Sequence, residues 1–267
     1  MRSLQKYCKT LIILLLLSKG AFADIEKAKQ ALESGQYDLA IAELKPLAEQ
    51  DDQDAQFYLG YSLVSKVFSG EEVKPEEELD AEKWLKKSAE NGNVEAMFLL
   101  ANAYLQGLAG TEESDEAFVW LEKAAEKGHS LSQLLTGSLY YEGEMVDRDC
   151  KKAFKWLESA ANQDLSSAQI SLSQYYDDNI CTEPDQEKSL SWLYKAADAG
   201  DAEACYLLGN RYLVGSGAPI DRTLAEQWLQ KAADAGHVQA DGLLDLFGMV
   251  NNKNSQSQQE EVKQSNE

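Results

Sequence analysis

The chain is poor in the residues that catalysis usually needs. Its 267 residues include two histidines, His129 and His237. Each directly follows a glycine, and Asn93 and Asp201 stand at the equivalent places elsewhere in the chain. That position calls for a polar turn residue, not a general base or a metal ligand. No nucleophile elbow, glycine-rich phosphate loop or zinc-ligand spacing occurs. Carboxylates are plentiful but follow solvent-facing columns. No catalytic residue, no metal site and no cofactor are expected.

Basic residues are also scarce. Lys and Arg number 25 against 46 Asp and Glu. Setting aside Arg2, Lys6, Lys9 and Lys19 leaves 21 against 46, a net charge of −25. Such a field repels phosphate backbones and anionic lipid heads, so neither nucleic acid nor a membrane surface is an expected partner. A basic protein patch or a cationic ligand is easier to accommodate, although the charge also serves to keep a long surface soluble.

Long apolar runs are nearly absent. The one that exists, Leu11 to Leu17, is far shorter than the ~20 residues of a membrane-spanning helix. A basic start precedes it and Ala21-Phe22-Ala23 follows, the pattern of a secretory signal cleaved after Ala23. The alternative is an uncleaved N-terminal anchor. Residues 1–23 are therefore expected to be a signal peptide, and the mature protein to be periplasmic or secreted from a bacterium. Cys8 would leave with the signal. Residues 251–267 hold one aliphatic side chain, Val262, and are expected to be a disordered polar tail.

Between these ends the chain keeps strict time. Its five tryptophans, Trp84, Trp120, Trp156, Trp192 and Trp228, are spaced at 36 residues (for example 120 − 84). Ala89, Ala125, Ala161, Ala197 and Ala233 follow at +5. Gly92, Gly128, Asp164, Gly200 and Gly236 follow at +8. This reads as a helix closed by a left-handed glycine. A second helix carries a small column (Ala96, Ser132, Ala168, Ala204, Ala240), another (Ala101, Gly137, Ser173, Gly209) and an aromatic one (Tyr104, Tyr140, Tyr176, Tyr212). Small residues let helix backbones approach, and rings fill the gaps between layers. Asp149, Asp185 and Asp221 suit the N-caps of the tryptophan helices. "DAQFYLGYSL" begins an earlier unit at an offset of 41 (96 − 55), and "DIEKAKQALES" suits an opening cap helix. A fixed period of this length signals a solenoid, with the tryptophans as core.

The pattern in "AEACYLLGNRYLVGSGAPIDRTLAEQWLQKAADAG", Ala202 to Gly236, resembles the Sel1-like repeat. The resemblance runs from about Asp38 to Met249 and is weakest where Asp164, Ser171 and Asn179 replace Gly, Leu and Gly. The family is similar to tetratricopeptide repeats. It implies an all-α, right-handed solenoid of stacked antiparallel helix pairs over residues 24–250, and a non-catalytic, monomeric scaffold for a protein or peptide. It also implies that the Ala-rich second helices line a concave side. Two columns would point into it: Phe57, Phe98, Leu134, Ile170, Tyr206 and, four residues on, Tyr61, Asn102, Ser138, Gln174, Asn210. An apolar row beside an amide-bearing one suits an extended peptide; alternatively the first row packs helix on helix. An envelope enzyme or cell-wall ligand binder, or a secreted factor engaging a host receptor, are the other readings.

Within such hairpins the start of one helix and the end of the next share an end. A Cys150–Cys181 disulfide is then reasonable in an oxidising compartment, the alternative being two thiols. A cysteine-rich branch of the family would pair Cys205 with a residue eight positions earlier. That residue is Ala197 here, so Cys205 is expected to be free.

Overall fold

The computed structural model describes residues 24–70, 73–107, 114–246 and 248. The expected signal peptide (1–23) and tail (251–267) lie outside the described residues. Thirteen helices and no strand are present among the described residues. They are α1 (24–33), α2 (Tyr37–Ala48), α3 (Gln53–Phe68), α4 (Pro75–Glu90), α5 (Val94–Leu105), α6 (Ser114–Glu126) and α7 (Ser130–Glu142). Then come α8 (Cys150–Ala161), α9 (Ser166–Asp177), α10 (Gln186–Asp198), α11 (Ala202–Val214), α12 (Arg222–Asp234) and α13 (Val238–Leu246). Two compact units form: residues up to Thr136 with Glu144–Val146, and Gly137–Gly143 with Asp147 onward.

In each unit, helices adjacent in sequence pack on one another, α2 through α6 in the first and α8 through α13 in the second. In the first unit α3 also touches α5, one repeat further on. Many of the connections are only a few residues long, so these neighbours run antiparallel. The chain is an all-α solenoid of helix pairs, as its periodicity predicts.

The helices begin and end for local reasons. Side chains of Asp149, Asp185 and Asp221 accept backbone N–H groups in the first turns of α8, α10 and α12, the capping their sequence positions predict. Asp52, Asn93 and Asp201 do the same for α3, α5 and α11. Gly92, Gly128, Gly200 and Gly236 end the tryptophan helices at φ between +88° and +95°. Asp164 takes the same left-handed turn at φ +60° without being glycine. The helix therefore ends as its relatives do, at a steric cost that glycine avoids. Asp164→Gly is expected to raise stability by about 1 kcal/mol, read as a higher urea midpoint; an unchanged midpoint would mean that the aspartate sits there without strain.

Packing explains the small columns. A Cβ on Gly137 would lie 2.7 Å from Leu157 Cγ, and one on Gly209 2.6 Å from Leu229 Cγ. The helix-destabilising glycines thus permit the close approach of the next helix. Trp84 and Trp120 are 5% exposed, and Trp156 and Trp228 8%. Trp192 departs from the expected core role and is half-buried. Lysines cap the indoles: Lys123 lies 3.9 Å from the Trp120 ring centroid, Lys195 3.6 Å from Trp192 and Lys231 3.7 Å from Trp228. Ser159 holds that position beside Trp156, and Lys155 supplies the cation instead, at 4.4 Å.

Candidate protein-binding surface

The second helix of each pair turns its alanine, leucine and glycine columns inward. On α5, Ala96, Met97, Leu100, Ala101 and Tyr104 are buried; on α11, Ala204, Cys205, Leu208 and Gly209. Helical spacing then leaves the two predicted rows on the opposite face.

In the first unit Phe57, Phe98, Asn102 and Leu134 are half-buried and Tyr61 is 40% exposed. Phe57 and Tyr61 stack with ring centroids 6.1 Å apart, a continuous aromatic strip along α3. Asn102 turns its amide back to the Phe98 carbonyl at 3.0 Å. In the second unit Ser138, Ile170, Tyr206 and Asn210 are half-buried and Gln174 is exposed. Ile170 and Tyr206 also lean on the core around Leu193, Leu208 and Trp228. In the apolar row part of each side chain packs, and part stays open to solvent.

Two aromatic members are braced in the same way. The Phe98 ring lies 4.6 Å from His129, and Tyr206 stacks on His237 at 4.2 Å. Glu95 lies 3.6 Å from His129 Nε2, and Glu203 lies 2.8 Å from His237 Nε2. His129 Nδ1 also accepts the Ser132 N–H, capping α7. Both histidines occupy the turn that the sequence predicts, each donating its backbone N–H to the carbonyl five residues back, Ala124 and Ala232, but that reading missed this bracket. Its sequence signal was available: an acid 34 and an aromatic 31 residues before each histidine.

The cysteines behave as two kinds. Cys150 and Cys181 form a disulfide with Cα atoms 5.4 Å apart, joining the start of α8 to the segment after α9. Such a bond indicates a location outside a reducing cytoplasm. Cys205 is free and buried, and burial pushes its thiol pKa up. It points at the Ala197 carbonyl, 3.6 Å away. Gln56, Gln133 and Gln169 hold the same column, and each donates to the carbonyl eight residues back, Ala48, Ala125 and Ala161. This column seals the end of the preceding helix, a role that residue type alone did not announce.

Arg211 is a further residue missed from sequence. Its guanidinium pairs with Asp177 and donates to Ser189 Oγ at 2.9 Å and Ser173 Oγ at 3.1 Å. It ties α11 to α9 and α10, next to the stretch that lost its glycines.

Among the described residues no helix is long and apolar enough to cross a membrane, and no cluster of three or more His, Cys, Asp or Glu could hold a metal ion. The Sel1 repeat pattern matches residues 53–93, 94–129, 130–165, 166–201 and 202–237. The chain belongs to the Sel1 repeat family. The first Sel1 repeat spans 41 residues (53 to 93) and the others 36, the offsets already visible in the sequence. A Sel1 repeat protein from Oxalobacter formigenes shares 27% identity at a TM-score of 0.69, over 82% of this chain and 88% of that one. The protective antigen c5321 of uropathogenic Escherichia coli, which displays an SLR fold, shares 26% identity at a TM-score of 0.73. That likeness spans 91% of this chain and 53% of that one. Among curated proteins none matches. Sel1 repeat proteins are generally interaction scaffolds, and the fold is typically non-enzymatic.

Proposed function

We propose that this Sel1 repeat protein is a monomeric, non-catalytic scaffold, exported to the bacterial envelope, that binds a partner protein or peptide on the face of its second helices. One observation carries the reading: in both units an apolar row and an amide-bearing row run side by side, with every member at least partly open to solvent. An extended segment can lay apolar side chains on Phe57, Phe98 and Leu134 or on Ile170 and Tyr206, and offer backbone groups to Asn102, Gln174 and Asn210. The Cys150–Cys181 disulfide supports export. The test is capture from envelope extract by residues 24–267, with a Phe98→Ala/Tyr206→Ala variant beside it. A partner held by the parent chain and lost by the variant is expected. Equal capture by both would remove the groove.

A second reading takes its support from the likeness to the antigen c5321: a secreted factor that meets a host receptor. Fractionation separates the two, since a scaffold of the envelope stays with the cells and a secreted factor accumulates in the medium.

A further inference from the structure

Beside the Cys150–Cys181 disulfide, a cleft of about 420 Å³ lies among the first turns of α8, the end of α9 and the start of α10. That volume falls in the range of small-molecule sites, roughly 300–1,000 Å³. Its wall is apolar. The Phe154 and Tyr176 rings meet there with centroids 4.9 Å apart, next to the disulfide.

The rim of the cleft is basic. Lys151, Lys155 and Lys188 line it against one acid, Glu158. Glu158 already accepts the Tyr176 hydroxyl, at 3.4 Å. Lys188 pairs with Asp185 at 3.3 Å. Lys151 and Lys155 are exposed, and neither forms an ion pair among the described residues. Lys155 lies over the Trp156 ring, a contact that does not neutralise its charge.

This charge runs against the rest of the chain, whose net charge is −21. It also runs against its own helix. The partial positive charge at the start of a helix favours acids there and disfavours cations. Asp115 and Glu187 stand 36 residues before and after Lys151, and both place an acid in the first turn, of α6 and α10. Lys151 reverses that sign in α8, whose first turn carries no acid. Helix stability gives no reason for a lysine at this place; a negative group held in the cleft would offset its cost.

We propose that this cleft binds a small molecule carrying a single carboxylate on an aromatic ring system. The carboxylate accepts charge-assisted hydrogen bonds from Lys151 and Lys155, and the ring lies against Phe154 and the disulfide. One anionic group matches two unpaired lysines beside Glu158, whereas a polyanion would meet the negative field of the surrounding chain. The site goes beyond the scaffold reading, since it uses no residue of the two rows.

The test uses residues 24–267, with the disulfide intact and ring-¹³C phenylalanine, titrated with phenylacetate and with phenylacetamide as the neutral isostere. Phe154→Leu assigns the Phe154 resonance. Phenylacetate is expected to shift that resonance saturably, and phenylacetamide to leave it in place. Lys151→Gln/Lys155→Gln is expected to weaken the phenylacetate response about tenfold, with the circular dichroism spectrum unchanged. Lys195→Gln removes a lysine that likewise caps a tryptophan but does not line the cleft, and should leave the response as it was. An equal response to the amide, an undiminished response in the double variant, an equal loss in Lys195→Gln, or a silent Phe154 would each overturn the site.

Discussion

Trp228→Ala is expected to destabilise the C-terminal repeats by about 3–5 kcal/mol. The indole is buried among Leu193, Ala196, Ala197, Ala204, Cys205, Leu208, Ala232 and Ala240, side chains from α10 through α13. It therefore seals one helix pair to the next, with the Tyr194 ring edge-on at 5.9 Å and Lys231 over its face. Removing it leaves a cavity that rigid helices cannot close, in addition to the lost transfer of the ring from water. In a repeat protein the damage should be local, since each repeat rests on its neighbours. Amide exchange should accelerate in α11 through α13 well before α2 through α5 respond. Trp192→Ala, which removes a half-buried ring, should cost clearly less. Equal losses at the two positions would mean that burial between layers is not what the tryptophans supply.

Breaking the Cys150–Cys181 disulfide comes next in size. Its cysteines are 31 residues apart in sequence, and loop-closure entropy assigns such a cross-link about 3–4 kcal/mol. Cys150→Ser/Cys181→Ser should therefore lower the urea midpoint strongly, and dithiothreitol should do the same to the parent chain. The bond pins the segment after α9 to the start of α8 where Asp164 and Asn179 stand in place of the usual glycines. Arg211 reinforces the same stretch through Asp177, Ser173 and Ser189. Protection from exchange in α8 and α9 should fall first when the bond is absent. A parent chain indifferent to reductant would show the cross-link to be idle, and would weaken the inference of an oxidising compartment.

The fold was legible because helical repeats write their packing into columns. The 36-residue spacing of the tryptophans, the glycines at +8 of all of them but Trp156, and the aspartates that cap α8, α10 and α12 each report a backbone requirement that recurs from layer to layer, and the structure places them accordingly. What stayed hidden depends on which side chains meet between layers. Arg211 occupies a column with Ala103, Leu139 and Tyr175, so its type gave no hint that it bonds Asp177. The Gln56, Gln133, Gln169 and Cys205 column looked incidental until its shared reach of eight residues appeared. Trp192 shows the limit of periodic reasoning, for an identical letter in an identical column is less covered than its counterparts. The rows proposed for binding were readable as a face, because helical period separates them from the alanine columns. Their surroundings were not, since they depend on neighbours from the next repeat such as His129 and His237.

The central claim, that a partner lies along the face of the second helices, is tested most directly by site-specific photocrosslinking in cells. p-Benzoylphenylalanine would be placed at Phe98, at Tyr206 and, on a tryptophan helix, at Lys155. One discrete adduct from positions 98 and 206, absent from position 155, is the expected result. Adducts from position 155 alone, or none from 98 and 206, would contradict a scaffold that works through this face.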